Sequence, residues 1–146
     1  MKILTTILFT FLSFISPVWL TNFNDAKVEA SKNNKLILVN FSGSDWCLPC
    51  MRLKNLIFDS EDFSGYANDN LVLVNADFPR EKKHKLLPEQ KQLNEALADK
   101  FDPDGKFPYT LLMTSDGKVI KQWDGQPDDT AKQFVDEIKQ IINALR

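Results

Sequence analysis

The stretch LILVNFSGSDWCLPC, residues 36–50, decides the architecture of this chain. Its first part, residues 36–41, is a short apolar run rich in branched side chains, which is typical of a strand buried on both faces. Gly43 marks a turn before the cysteines. Apolar residues after the second cysteine recur at helical spacing: Leu53, Leu56 and Ile57. We therefore predict that Cys47 and Cys50 lie between a buried strand and a helix.

The residues on either side of this stretch predict a second strand and a further helix. Residues 71–77, LVLVNAD, form another apolar run of strand length. With the intervening helix they complete a strand, helix, strand unit, and the crossover in such a unit makes the two strands parallel. The polar segment of residues 25–34, ahead of the first strand, predicts a short helix.

The C-terminal half predicts two helices separated by a hairpin. Residues 88–101 carry apolar side chains at helical spacing, and the extended runs 109–113 and 118–123 flank an Asp-Gly turn that is typical of a β-hairpin. After Pro127, apolar residues repeat on one helix face: Phe134, Ile138, Ile141, Ile142 and Leu145. The predicted fold class is α/β, with a mixed sheet of about four strands flanked by helices on both faces and one domain over residues 24–146.

Length and charge restrict the function classes. A chain of 146 residues with 43% hydrophobic positions has room for one ordinary core. The formal net charge is −2, from 18 basic and 20 acidic residues. Nucleic-acid binding rests on the neutralisation of phosphates, so this balance argues against nucleic-acid partners.

The first twenty residues are predicted to direct export. Lys2 precedes a continuous uncharged apolar run, which is the pattern of a signal peptide. The run approaches membrane-spanning length and no A-x-A cleavage site follows it, so residues 1–20 are interpreted as a signal peptide or an N-terminal membrane anchor over residues 3–20. We expect the domain to be periplasmic or otherwise exported, where disulfides persist.

The only two cysteines of the chain are assigned a chemical role. A disulfide across two intervening residues closes a very small loop and constrains the unfolded chain little, so a structural role is disfavoured. Cys47 is placed at a helix N-terminus, where unpaired N–H groups and the macrodipole favour thiolate over thiol. Cys50 lies one turn inward, where burial favours the neutral form. Cys47 is therefore the predicted nucleophile, and Cys50 the resolving thiol.

The motif Trp46-Cys47-Leu48-Pro49-Cys50, between a strand and a helix, resembles the active-site motif of the thioredoxin family. The resemblance covers about residues 36–146, because Phe107-Pro108 before a hairpin and the C-terminal helix fall in thioredoxin-like order. It implies a protein thiol–disulfide oxidoreductase without a cofactor or a metal. Trp46 would line the active-site rim.

The same resemblance implies a mode of substrate binding and a direction of electron flow. It implies a cis peptide bond between Phe107 and Pro108 that faces the cysteines, beside which the Phe107 backbone would pair with an extended substrate. Pro49, immediately before the second cysteine, is similar to the proline of the reducing members. The implied partners are protein disulfide or dithiol substrates and a membrane-embedded thiol electron donor.

One position departs from the family pattern. Thioredoxins carry a buried aspartate in the strand before the active site, which manages the proton of the second cysteine, and the matching position here is Asn40. An asparagine cannot act as a general base. The accompanying lysine is also missing, since Leu73 occupies the equivalent place. Asp45 or solvent remains as a substitute.

Several alternatives stay open. Oxidation and isomerisation use the same exchange steps in other directions. The cysteine pair is also suited to binding or delivery of a soft ion such as Cu(I), with His84 as the one further nitrogen ligand, and a non-catalytic binding module is a third class. A segment longer than the usual thioredoxin loop carries a run of basic residues: Arg80, Lys82, Lys83, His84 and Lys85. This run is either solvated surface or a docking site for an acidic partner.

Overall fold

A computed structural model of the chain describes residues 16–145. The first fifteen residues of the predicted leader lie outside this part. The elements in chain order are β1 (Trp19–Leu20), α1 (Phe23–Asn33), β2 (Leu36–Ser42), α2 (Leu48–Leu53), α3 (Glu61–Asn70), β3 (Leu71–Asp77), α4 (Pro88–Phe101), β4 (Tyr109–Met113), β5 (Val119–Asp124) and α5 (Ala131–Ala144). None of the helices described between residues 16 and 145 has the length and apolarity needed to cross a membrane.

The strands form one mixed sheet in the order β1-β3-β2-β4-β5. β2 and β3 are parallel, while β4 is antiparallel to both β2 and β5. The predicted α/β fold with a mixed sheet is confirmed, and all four predicted strands are present. The fifth strand, β1, pairs in parallel with β3 through Trp19 and Leu73. A strand of only two residues is too short to show a periodic pattern, so the sequence did not predict it.

Side-chain alternation along the strands divides the core into two layers. Leu38 of β2 faces the layer that holds α2, α3 and α5, whose buried residues include Leu53, Phe63 and Phe134. Its neighbour Ile37 faces the opposite layer, which is covered by α1 and α4. The helices therefore flank both faces, as predicted, because successive residues of a strand point to opposite sides.

The segment between the two parallel strands differs from the prediction of one helix. A π-helical turn, Lys54–Phe58, follows α2, and α3 is a separate helix. The wider turn brings Ile57 and Phe58 onto the buried face and leaves Leu56 62% exposed. Of the predicted face, Leu53 and Ile57 are therefore buried, and the placement of Leu56 on it is wrong. The sequence did not predict α3, because Phe63 and Ala67 are its only buried residues and two positions do not make a clear apolar pattern.

Candidate active site

Cys47 is the N-cap of the helix that carries Cys50. Its backbone is extended, with φ −94° and ψ 100°, and its sulfur accepts a hydrogen bond from the Cys50 backbone N–H at 3.2 Å. The turn before it is closed by the Gly43 carbonyl, which accepts from the Cys47 N–H at 2.9 Å. A side chain at Gly43 would overlap the Trp46 indole, so this approach requires glycine. Pro49 lies in the first helical turn, where a missing N–H leaves no bond unmade.

The two cysteines form a disulfide with their Cα atoms 5.3 Å apart. Cys47 is 5% exposed and Cys50 is 4% exposed. Exposure therefore does not distinguish them in the oxidised protein, in contrast to the expectation that burial would set Cys50 apart. What does distinguish them is position, since Cys47 lies at the helix end and Cys50 within the first turn.

Three uncharged polar side chains form a row across the sheet, which we call the neutral row: Asn40, Asn75 and Thr110. Asn40 lies opposite Asn75 of β3 and Thr110 of β4. Its Nδ2 donates to Asn75 Oδ1, and its Oδ1 accepts from Thr110 Oγ1, both at 3.2 Å. The expectation for Leu73 needs correction, because Leu73 pairs with Leu38 in the core and Asn75 is the neighbour of Asn40.

A cavity of about 650 Å³ lies beside Cys50, and we call it the Cys50 cavity. Asn40 and Asn75 of the neutral row line it, together with the hydroxyl-bearing Ser42 and Ser44. A space of this size with several polar groups in its lining admits water. Solvent therefore has a route to the second cysteine, which is one of the two substitutes expected for the missing aspartate.

Asp45, the other expected substitute, is committed elsewhere. Its carboxylate accepts the backbone N–H groups of Arg80 and Glu81, each at 2.9 Å, and lies 3.0 Å from His84 Nδ1. These contacts, the Arg80 N–H foremost, lower the pKa of Asp45 to about 2. So weak a base, facing the segment after β3, is not suited to take the Cys50 proton. Asp45 instead holds that segment against the active-site turn.

The predicted substrate-binding residues come together at one aromatic surface. The rings of Trp46 and Phe107 meet edge to face with centroids 5.4 Å apart, and the Phe107–Pro108 peptide bond is cis. Sequence reasoning missed Phe78, whose ring lies 5.4 Å from Phe107 and whose carbonyl accepts from Trp46 Nε1 at 2.8 Å. Its position at the carboxyl end of β3 was the available signal, because sites in α/β sheets form where parallel strands end.

His84 does not join the cysteines as a metal ligand. Within residues 16–145, the one group of three side chains that could hold an ion contains Asp45, Glu81 and His84, and neither cysteine.

Comparison with known proteins places the chain in a family. A family model for the thioredoxin-like domain matches residues 23–142. The chain belongs to the thioredoxin-like family. Disulfide bond reductase DsbH of Chlamydia pneumoniae is 29% identical over 121 residues, which are 83% of this chain and 70% of that protein. Thioredoxin-related protein DsbJ of Chlamydia pneumoniae is 26% identical over 130 residues, which are 88% of this chain and 36% of that protein.

Solved structures support the same fold for this thioredoxin-like protein. A DsbH oxidoreductase superposes with a TM-score of 0.81 at 22% identity, covering 98% of this chain and 95% of that one. A thioredoxin from Thermus thermophilus gives a TM-score of 0.61 at 15% identity and covers 88% of each chain. With its Cys47–Cys50 pair, this thioredoxin-like protein is a thiol–disulfide oxidoreductase.

Proposed function

We propose that this thioredoxin-like protein reduces disulfides of exported polypeptides, with Cys47 as the nucleophile and Cys50 as the resolving thiol. The observation that carries this assignment is the cap geometry, in which the Cys47 sulfur accepts the Cys50 N–H at the start of α2. A hydrogen-bond donor and a helix N-terminus both favour the thiolate, which is the attacking species in thiol–disulfide exchange.

The reaction follows from this assignment. The Cys47 thiolate attacks one sulfur of the substrate disulfide, that bond breaks, and the other substrate sulfur leaves as a thiolate. Cys50 loses its proton to solvent in the Cys50 cavity and attacks the Cys47 sulfur. The mixed disulfide breaks, the second substrate thiolate leaves, and the Cys47–Cys50 disulfide forms. Two electrons pass to the substrate, and its two thiolates take their protons from solvent.

Substrate binding is assigned to the aromatic surface of Trp46, Phe107 and the adjoining Pro108. Within the part of the chain that the structure describes, the backbone N–H and C=O of Phe107 make no hydrogen bond. An extended substrate segment can therefore pair with them, as in strand addition.

Reduction outside the cytoplasm is supported by two features besides the site. DsbH, which is 29% identical, is named a disulfide bond reductase. Residues 1–20 carry the pattern of an export signal. A reductase at such a location needs electrons, and a membrane-embedded thiol donor is the proposed source. The Trp19 ring packs against Phe58 at 5.0 Å, which favours a leader that ends before Trp19.

The test is the reduction of insulin by dithiothreitol, with the wild type, Cys47→Ser and Cys50→Ser compared. We expect both substitutions to abolish catalysis, and only Cys50→Ser to accumulate mixed disulfides, since Cys47 still attacks and nothing resolves the adduct. Adducts held on Cys50 in Cys47→Ser would reverse the roles. Export is tested by fusing alkaline phosphatase after residue 146, because that reporter is active only outside the cytoplasm, with residues 2–15 deleted as the control.

A further inference from the structure

The basic run of the sequence, residues 80–85, is held against the active-site turn, and we call it the basic rim. It follows β3 at the carboxyl end of the two parallel strands, where the active-site turn also lies. Asp45, two residues before Cys47, holds the rim through the N–H groups of Arg80 and Glu81 and the ring of His84. The backbone of this segment is therefore fixed against the active-site turn.

Arg80 is the cation of the basic rim that contacts the active-site motif. Its guanidinium carbon lies 3.5 Å from the centroid of the Trp46 ring, and Trp46 immediately precedes Cys47. A guanidinium stacked in this way keeps the donors on its edge available for a carboxylate. The Trp46 ring also contacts Phe107, so Arg80 borders the surface proposed to bind substrate.

Three cations of the basic rim have no carboxylate partner among the described residues. Lys83 pairs with Glu81 at 2.9 Å, whereas among residues 16–145 no carboxylate lies within 4.0 Å of the charged groups of Arg80, Lys82 or Lys85. Six of the eleven other described lysines have such a partner, for example Lys106 with Asp124. Because the whole chain has a net charge of −2, this concentration of unpaired cations is a local feature.

Several residues of the basic rim line a small cavity. Its volume is about 260 Å³, and the three unpaired cations Arg80, Lys82 and Lys85 line it. Two carboxylates also line it, and both are engaged: Asp77 by the N–H and hydroxyl of Ser44, and Glu81 by Lys83 at 2.9 Å. The space is below the usual range for drug-sized ligands, so a single acidic side chain fits it better than a small-molecule cofactor.

We propose that the basic rim binds an acidic segment of the substrate polypeptide next to the disulfide that Cys47 attacks. This inference rests on the proposed function and adds a substrate class to it. Charge complementarity of this kind acts mainly on encounter and orientation, so the rim should raise the second-order rate of attack. A substrate with basic residues at the same positions should react more slowly.

The experiment uses the reduced protein in single turnover with two disulfide-bonded peptides of equal length. One peptide carries glutamates beside its cysteines and the other carries lysines, and acid quenching with mass spectrometry follows the reaction. We expect the acidic peptide to react about three- to tenfold faster at low salt. The preference should fall towards unity at about 0.5 M salt, because the contacts are exposed.

Paired charge reversals supply the matched comparison. Lys82→Glu with Lys85→Glu should invert the preference, so that the basic peptide reacts faster. The control is the double variant Lys32→Glu with Lys118→Glu, which makes the same change of net charge. Both positions lie at the opposite end of the sheet, where β2 begins and β4 ends. This variant should keep the wild-type preference for the acidic peptide. Circular dichroism verifies that both variants fold.

The outcomes separate this inference from the function on which it rests. If the reduced wild type reacts with neither peptide, the proposed reductase function fails. If it reacts with both at one rate, or if both double variants change the preference equally, the basic rim does not select substrates. Sedimentation with phosphatidylserine vesicles that requires Lys82 and Lys85, without any peptide preference, would instead identify the rim as a membrane contact and overturn the proposal.

Discussion

Cys47 and Cys50 are almost equally covered, yet the structure gives them unequal surroundings. Cys47 lies at the cap of α2 and accepts an N–H, whereas Cys50 donates that N–H and lines the Cys50 cavity. The difference in reactivity must therefore come from the helix end rather than from access. This predicts a chemical asymmetry that should appear once the disulfide is reduced.

The first prediction concerns alkylation of the reduced protein. With limiting iodoacetamide at about pH 6, Cys47 should be modified about tenfold faster than Cys50, since only its thiolate is stabilised by the helix end. Peptide mass spectrometry measures both sites in one sample, and Cys47→Ser and Cys50→Ser give the rate of each thiol alone. Equal rates, or a faster Cys50, would contradict the assigned roles.

Asn40 and Asn75 of the neutral row are uncharged and line the same cavity as Cys50. Asn40, at 6% exposure, has both its amide groups bonded, to Asn75 and to Thr110. A satisfied amide keeps its place without titrating, so Asn40 takes no proton from Cys50. The charged groups that share the Cys50 cavity are the paired Lys54 and Asp59. The neutral row should therefore add no titration of its own to the pH dependence of resolution.

The second prediction is that Asn40→Asp restores a titrating group and costs stability. Burial should raise the pKa of the new carboxyl above that of the unfolded chain. The folded protein then binds more protons than the unfolded one, so the free energy of unfolding should fall as pH rises, by about 1–3 kcal/mol between pH 4 and pH 8. The resolution rate should gain an inflection at the new pKa.

Urea unfolding and mixed-disulfide release across this pH range check that prediction. The control is Asn24→Asp, an exposed site in the first turn of α1, where the helix N-terminus favours the ionised form of a new carboxyl, so that it should add no slope above about pH 5. A flat profile in Asn40→Asp would show that position 40 is in contact with water and would remove the neutral row from the mechanism.

At the scale of elements, Asp45 is the joint between the active-site turn and the basic rim. One side chain satisfies two N–H groups of the segment after β3 and contacts its histidine. Only an ionised carboxylate offers acceptors to all three, because an amide would place an NH₂ against an N–H. The position of the rim should therefore depend on this single charge.

The third prediction is that Asp45→Asn releases the rim. Trypsin should cut after Lys82, Lys83 or Lys85 at least about threefold faster than in the wild type, because the segment opens more often. Asp69→Asn, an exposed site on α3, is the control and should leave the cleavage pattern unchanged. If cleavage stays at the wild-type rate, other contacts hold the rim and Asp45 is not its anchor.

The fourth prediction is the pH dependence of the same contact. The folded pKa of Asp45, about 2, lies below its ordinary value of 3.8, so the folded state binds fewer protons there. The stabilisation is complete above about pH 4 and is lost as pH falls towards 2. Thermal unfolding should show a steeper loss in this window for the wild type than for Asp45→Asn. Parallel curves would contradict the assignment.

At the scale of the whole molecule, β1 ties the segment after the predicted leader to the core. Trp19 pairs with β3 and stacks on Phe58 and Phe63, at 5.0 and 6.4 Å between ring centroids. Within residues 16–145 the sheet therefore includes residues that precede the domain predicted over residues 24–146. An exported form would need to keep Trp19 to retain these contacts.

The fifth prediction tests this extension. In a chain that begins at Ser16, Trp19→Ala should lower the free energy of unfolding by about 2–4 kcal/mol, because a large aromatic contact is lost. Val18→Ala is the control, since Val18 is 74% exposed and should change stability little. Urea titration measures both. If the two variants are equally stable, β1 contributes no packing energy and the domain begins at α1.

Local sequence patterns predicted most of the architecture. The runs at 36–41 and 71–77 are buried strands because apolar runs of that length hide both faces, and the turn at residues 114–117 closes a hairpin as its Asp-Gly pair predicts. The position of Cys47 at a helix start followed in the same way from Pro49 and the apolar spacing beyond it. These signals are visible in sequence because each depends on neighbours within a few residues.

The remaining features were decided by tertiary contacts. Asn75, and not Leu73, faces Asn40 because the register between β2 and β3 sets which side chains meet, and register is a property of two distant segments. Asp45 turned from a candidate base into an anchor because a segment 35 residues away supplies its donors. The sequence determined that two cysteines sit at a helix start beside a buried sheet; only the folded chain determined which polar groups surround them, because those groups come from strands and loops far apart along it.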